Sequence, residues 1–333
     1  MKKRLIVLLV IPLLIYIGSL APILRGGLGI RQIFPESEYE IRIGCSSLTP
    51  LHCMFGEVFN HTDILARHNL RGNIIFFEHG KDQAESCGKN MVDITFSCEI
   101  PAILHMARCP GLRIIGTPGA LGRIALIVPE GSSILTPEDL RGKDIMIHDG
   151  SSAAMAIDRW LKDAGIDPRN DVKLIYSDMD GVVKRLSSGE GDAVVSWDPW
   201  LEIFVKDYDM RILKQRLFYS AIVASDRFLR KYPKAAELYV TALEEALLWS
   251  SNNIDDVSGW ISARSGIDKM AVEKVMLLNE NFILRESEKE INFGMTEEAM
   301  KILDECNDFL VYQRSIPADF NIRSKIYSLL PAK

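Results

Sequence analysis

Between residues 40 and 197 the chain alternates short apolar runs with amphipathic stretches, and most of the apolar runs close on a small or polar residue. "EIRIGC" (40–45), "NIIFFEHG" (73–80), "MVDITFSC" (91–98) and "GLRIIGT" (111–117) read as strands. Between them, Thr49-Pro50 starts a helix with a hydroxyl at the N-cap and proline at the first helical position, "DQAESCGKN" is a short helix, and Pro101 opens another. The pattern then repeats: strands "GRIALIVP", "DIMIHDG", "DVKLIYS" and "GDAVVSW" are separated by helices "TPEDLRG", "SSAAMAIDRWLKDAG" and "MDGVVKRLSSG". This βαβα order predicts two α/β units, each with a mostly parallel sheet flanked by helices. From about Pro233 the character changes to long amphipathic helices ("KAAELYVTALEEALLWSSN", "MAVEKVMLLNENF", "TEEAMKILDECNDFLVYQR"), which must cover sheets already built.

A length of 333 residues fits about two domains, and 47% hydrophobic with 25% charged residues is enough apolar surface for a sizeable core. The net charge is −6 and no basic block follows residue 4, which argues against nucleic acid as a partner. The first residues differ in kind. Met1-Lys2-Lys3-Arg4 is a positive cluster, and residues 5–24 carry no charge, long enough to span a hydrocarbon core. The expected arrangement is an N-terminus inside and everything after Arg25 outside. Ser19-Leu20-Ala21 offers the small residues of a cleavage site, while Pro22 after the cut favours an uncleaved anchor; both outcomes remain open. Residues 25–39 read as a linker leading away from the membrane.

Strand ends in open α/β sheets converge on ligands, because the helices that follow point their amide ends at one crevice. Four such junctions stand out: Cys45-Ser46-Ser47-Leu48-Thr49, Ser97-Cys98-Glu99-Ile100-Pro101, His148-Asp149-Gly150-Ser151-Ser152 and Ser196-Trp197-Asp198-Pro199. In "IMIHDGSSAAMAIDRWL" (145–161) a strand runs through glycine and two serines straight into a helix. The unpaired amides of that helix are either capped, by Asp149 or Ser151, or held ready for an anion. Arg123, just after a glycine-rich stretch, is a cation that could fork onto a sulfonate, carboxylate or phosphate, or simply be solvated. Trp197 is either a flat wall for a ligand or a core residue. Glu99 and Asp198 either flank the crevice or cap the helices behind them. Cys45, Cys53 and Cys98 with His52 could build a soft-metal site, but the spacing is not diagnostic and buried thiols or a disulfide fit as well. No nucleophile elbow, H-E-x-x-H, Walker loop or dinucleotide G-x-G-x-x-G is present, so no catalytic group, metal or cofactor is expected.

Several stretches together resemble the solute-binding proteins of ABC importers, of the nitrate, sulfonate and taurine type with their thiamine-precursor relatives. They are "GKNMVDITFSCEIPAI", "SSILTPEDLRGKDIMIHDGSS" with its Asp139-Leu140-Arg141-Gly142-Lys143 passage, "GVVKRLSSGEGDAVVSWDPW", and "FLRKYPKAAELYVTALEEAL". The resemblance implies a type II periplasmic-binding fold: lobe 1 from 40–122 and 218–333, lobe 2 from 123–217, joined by two crossing strands and closing on a ligand. By it, Ser46, Ser47, Thr49, Cys98, Glu99, Arg123, Ser151, Ser152, Trp197 and Asp198 line the cleft. Where sulfonate binders commonly carry small hydroxyl residues, this chain has Cys98-Glu99. The implied partners are a small anionic or zwitterionic solute, a permease with its ATPase, and the membrane through residues 5–24; the implied place is extracytoplasmic. Two competing expectations are an enzyme of the same fold acting on a pyrimidine-like ring, with His52 or His148 as reactive groups, and a ligand-sensing ectodomain.

Overall fold

The structure, a computed structural model, describes residues 39–78, 80–148, 151–282, 291 and 293–329. The segment expected in the membrane (1–24), nearly all of the expected linker and the Asp149-Gly150 turn lie outside the described residues. Among the described residues no helix is long and apolar enough to cross a membrane.

Nine strands are built among the described residues: β1 (Tyr39–Ser46), β2 (Leu70–Phe77), β3 (Ile94–Cys98), β4 (Leu112–Gly116), β5 (Ala120–Pro129), β6 (Asp144–His148), β7 (Lys173–Ser177), β8 (Ala193–Trp197) and β9 (Met210–Ser225). The helices up to the last strand are α1 (Pro50–His61), α2 (Ile64–Arg67), α3 (Gly80–Gly88), α4 (Glu99–Arg108), α5 (Ser152–Asp163), α6 (Met179–Ser187) and α7 (Trp200–Asp207). After β9 come α8 (Asp226–Lys231), α9 (Pro233–Asn252), α10 (Ile254–Ser265), α11 (Lys269–Met276) and α12 (Glu297–Tyr312). Strands run in the order β2-β1-β3-β9-β5-β8-β6-β7, with β4 beside β9.

The sheets are mixed. Parallel pairing, expected to dominate, is confined to β2-β1-β3 and to β7-β6-β8. Every pairing made by β5 or β9 is antiparallel. β9 belongs to both halves: residues 210–219 pair with β5, while residues 220–225 lie between β3 and β4. Its burial follows from that position. Within the half paired on one edge, residues 211–217 are partly buried or exposed, and the half flanked on both edges is buried throughout.

Local sequence explains several helix starts. Ser225, Asp268 and Thr296 cap α8, α11 and α12 by accepting from backbone amides in the first turn. α4 begins at Glu99, two residues ahead of the expected Pro101, which sits in the first turn where its missing N–H leaves no bond unmade. α11 ends at Met276, earlier than "MAVEKVMLLNENF" predicts. Asn279 Nδ2 instead donates to the carbonyl oxygens of Pro118 (3.0 Å) and Ala120 (2.7 Å), clamping the turn between β4 and β5.

The largest core gathers α1, α9 and α10 against β1, β2 and β3, with Phe55 stacked on Phe96 at 5.2 Å between ring centres and Tyr239 fully buried. A phenylalanine such as Phe55 or Phe96, buried completely, contributes about 1.5–3 kcal/mol of hydrophobic stabilisation. A second core joins α4 to α12 through Ile103, Met106, Leu303, Cys306 and Leu310, and Met155 of α5 enters it from the other sheet. At the far end of α5 the ammonium of Lys162 and the guanidinium of Arg169 lie over the Tyr312 ring, at 4.3 and 5.0 Å from its centre.

Candidate functional site

The parallel strands β1 and β3 of one sheet end at Ser46 and Cys98, and β6 and β8 of the other end at His148 and Trp197. The starts of α4 and α5 meet beside the shared strand β9. Ser152 Oγ donates to Glu99 Oε2 at 2.7 Å, and the backbone N–H of Tyr219 donates to Glu99 Oε1 at 2.8 Å. Glu99 is 2% exposed, so its carboxylate is desolvated and its hydrogen bonds replace lost water. A cavity of about 10 Å³, roughly the size of one water, lies against Glu99, Thr117, Tyr219, Ser220 and Met295. Burial, then Glu280 and Glu298, push the Tyr219 phenol up to about 12.

The other expected residues divide into two groups. Ser46, Ser47 and Thr49 organise the end of the first sheet. Ser46 Oγ accepts from the amides of Leu48 (3.1 Å) and Thr49 (3.0 Å), Ser47 Oγ donates to the Phe77 carbonyl at 3.2 Å, and Thr49 is the N-cap of α1 without a side-chain capping bond. Cys98 is the N-cap of α4, and burial, then Glu99, push its thiol up to about 12. Ser151 is the N-cap of α5, yet its hydroxyl donates to the His148 carbonyl at 2.7 Å and makes no capping bond.

Arg123 and Asp198 form the second group, and they are engaged with each other. Arg123 Nε and Nη2 donate to Asp198 Oδ2 (3.0 Å) and Oδ1 (2.9 Å), its backbone N–H donates to Asp198 Oδ2 (2.7 Å), and Nη2 also meets Glu202. The Asp198 side chain is 0% exposed. The close approach needs Gly122, whose φ is +148° and whose added Cβ would lie 2.9 Å from Asp198 Cβ. Trp197 stands edge-on to His148 at 5.2 Å between ring centres.

Three features carry no motif and were not expected. Arg216, on β9, donates through Nη1 to the Leu217 carbonyl at 2.9 Å and holds Nη1 3.6 Å from Glu99 Oε1. Its Nε and Nη2 are buried and have no hydrogen-bond partner among the described residues. Glu202 completes the Arg123 cluster and pairs in turn with Lys274. Tyr219 supplies Glu99 with a backbone donor.

His52 and the buried thiols are poorly placed for covalent chemistry. His52 is 1% exposed, stacks on Phe96 at 5.0 Å, and shares a 2.8 Å hydrogen bond with Ser220 Oγ through Nε2. Burial drives its pKa down to about 3. All six cysteines are free thiols; burial raises Cys53 to about 12 and Cys45 well above its ordinary value, so neither supplies a thiolate near neutral pH. Among the described residues no group of three or more His, Cys, Asp or Glu side chains could hold a metal ion.

Comparison with known proteins fits this architecture. Residues 72–263 match the family described as "ABC transporter, phosphonate, periplasmic substrate-binding protein". Over 139 residues the chain is 27% identical to an Escherichia coli (strain K12) protein named for binding aliphatic sulfonates, and the aligned stretch spans 41% of this chain and 43% of that one. The periplasmic aliphatic sulphonate binding protein SsuA from Escherichia coli superposes with a TM-score of 0.74 at 19% identity, over 90% of this chain and 95% of that chain. The alkanesulfonate-binding protein SsuA from Xanthomonas axonopodis pv. citri, bound to MOPS, gives 0.69 at 19% identity, over 87% and 98%. A mutant of DszB in complex with biphenyl-2-sulfinic acid gives 0.66 at 17% identity, over 87% and 96%. At these identities the likeness is one of fold, the two-lobe periplasmic-binding type.

Proposed function

The chain belongs to the phosphonate family of periplasmic substrate-binding proteins of ABC transporters, and from that premise we propose that it captures a small oxyanionic solute by closure of two lobes and hands it to a membrane permease. Lobe 1 would comprise 40–122 and 218–333, and lobe 2 would comprise 123–217. Both boundaries fall within β5 and β9, the two strands that pair with each other across the middle of the molecule. One observation carries the reading: the first residues of α4 and α5, which rise from different sheets, are joined by the 2.7 Å bond between Glu99 and Ser152. The place where the two helices begin already holds the Glu99 carboxylate, and a bond between lobes defines a closed state that a ligand can favour.

Within this reading Ser46, Ser47, Thr49, Cys98, Ser151, Ser152 and Trp197 shape the crevice, Glu99 ties the lobes, and Arg123 with Asp198 stiffens the passage between them. Binding without chemistry is favoured because the nearby thiols and His52 are held in their neutral forms. Periplasmic binding proteins act outside the cytoplasmic membrane, and residues 5–24 would tether this one there. Titration calorimetry of the full-length chain against alkylphosphonates, alkylsulfonates, taurine, nitrate and thiamine precursors tests the proposal. Saturable one-to-one binding with a smaller radius of gyration in solution scattering is expected. Silence across the panel, or recovery of a chemically altered solute by mass spectrometry, would refute it, the latter in favour of an enzyme.

A further inference from the structure

Helix α5 belongs to two cores at once. On one side Ala153, Ile157 and Leu161 pack with Ile124 and Ile147 of the sheet from which the helix rises. On the other side Ser152, Met155 and Lys162 fall within about 80° of one another around the helix axis, and each meets an element attached to the other sheet. Ser152 Oγ donates to Glu99 at the start of α4 (2.7 Å), and Met155, 6% exposed, joins the core that holds Leu303, Cys306 and Leu310 of α12. The Lys162 ammonium lies 4.3 Å from the centre of the Tyr312 ring, at the end of α12, and the Arg169 guanidinium lies 5.0 Å from the same ring. Both cations are held in place. Lys162 pairs with Asp158 at 2.7 Å, and the Arg169 backbone N–H donates to Asp167 Oδ1 at 2.9 Å. The ring itself is 52% exposed, so this contact can form and break without unfolding either helix.

We infer that α5 and α12 form a latch: the seam from Ser152 to Tyr312 parts and closes as one unit when the two lobes move, and the Tyr312 ring, met by two cations, holds it shut at the end of α5 away from the strand ends. The inference takes from the receptor reading above only the motion of the lobes, and nothing about the solute. The negative face of the ring attracts both cations. Parting the seam also returns the Met155 side chain to water, which opposes opening. A solute that binds the closed lobes gains from every contact that raises the closed fraction, so residues remote from the crevice set part of its affinity.

The test treats the full-length, solute-free chain with dilute hydrogen peroxide, which transfers one oxygen atom to the Met155 thioether and leaves water; mass spectrometry of the Met155 peptide gives the rate. Because the side chain is buried while the seam is shut, that rate follows the parted fraction. Tyr312→Leu removes the ring and should speed Met155 oxidation about 5- to 30-fold, the effect of two cation–π contacts at a half-exposed ring. Tyr312→Phe keeps the ring face and should oxidise at the wild-type rate. Met146 and Met276, buried in other cores, report unfolding of the whole chain and should keep their rates in all three proteins. Met155 lies about 10 Å along α5 from Lys162, so fraying confined to the ring contact leaves it at the wild-type rate. That result in Tyr312→Leu, a rise shared equally by Met146 and Met276, or an equal rise in Tyr312→Phe overturns the inference. The oxyanion reading is judged separately on the wild type, where millimolar ethanesulfonate, ethylphosphonate or propionate should slow Met155 oxidation. A Tyr312 effect without protection by any of the three keeps the latch and counts against the oxyanion reading; protection without a Tyr312 effect does the reverse.

Discussion

His52 makes the structure answerable through pH. The ring is 1% exposed between Phe96 and Ser220, and burial holds its pKa at about 3 against 6.5 for an ordinary imidazole. The unfolded chain therefore takes up a proton that the folded chain refuses, so this contribution to stability is complete above pH 6.5 and is lost as pH falls toward 3. Each unit below 6.5 costs about 1.4 kcal/mol, which amounts to about 3 kcal/mol between neutral pH and about pH 4.5. His52→Phe keeps a ring against Phe96 and removes the titration. Urea unfolding followed by tryptophan fluorescence, run at about pH 7.5 and about pH 4.5 on both proteins, isolates the term, because all other groups titrate in each. The variant should lose about 3 kcal/mol less than the wild type over that interval. Equal losses would refute the placement of a neutral imidazole in the core.

Other consequences can be checked separately. Asp198→Ala strands the Arg123 guanidinium with Glu202 alone; it should lower stability by about 3 kcal/mol in urea unfolding, and a loss under about 1 kcal/mol would contradict the buried pair. Ser152→Ala removes the side-chain link between α4 and α5, and should weaken the wild-type solute about tenfold and enlarge the radius of gyration of the liganded protein; no change in either would dissociate this bond from closure. Cys98 is partly exposed but its thiol is pushed up to about 12, so iodoacetamide near neutral pH should label it only slowly in the native protein and rapidly after unfolding; fast native labelling would count against the stated environment.

The alternation of short apolar runs and amphipathic stretches made β1 to β8 and helices α1 and α3 to α6 legible, since period and boundary residues are local properties, while the four-residue α2 was not expected. β9 was not legible. "MRILKQRL" carries three cations and reads as a solvated stretch because it pairs on one edge only, and the apolar "FYSAIVAS" that follows belongs largely to a different sheet. Arg123 and Asp198 were each visible at strand ends, but their union was not. It depends on the antiparallel register that sets Ile124 opposite Trp197, and only the folded sheet supplies that. Arg216 left still less trace. Between Gln215 and Leu217 it looks like any exposed arginine, and its significance comes from Glu99, far earlier in the chain. Periodicity finds elements; pairings across long separations need tertiary structure.

The double membership of β9 also dictates an order of assembly. β3 and β4 do not pair with each other; each waits for residues 220–225, and Ile94 gains its antiparallel neighbour only when Ala224 has emerged. A chain delivered from its N-terminus must therefore carry open strand edges through more than half its length, a condition under which nascent sheets recruit wrong neighbours. The late arrival of one strand seals both halves together, so chains cut short before residue 225 should be aggregation-prone rather than half-functional.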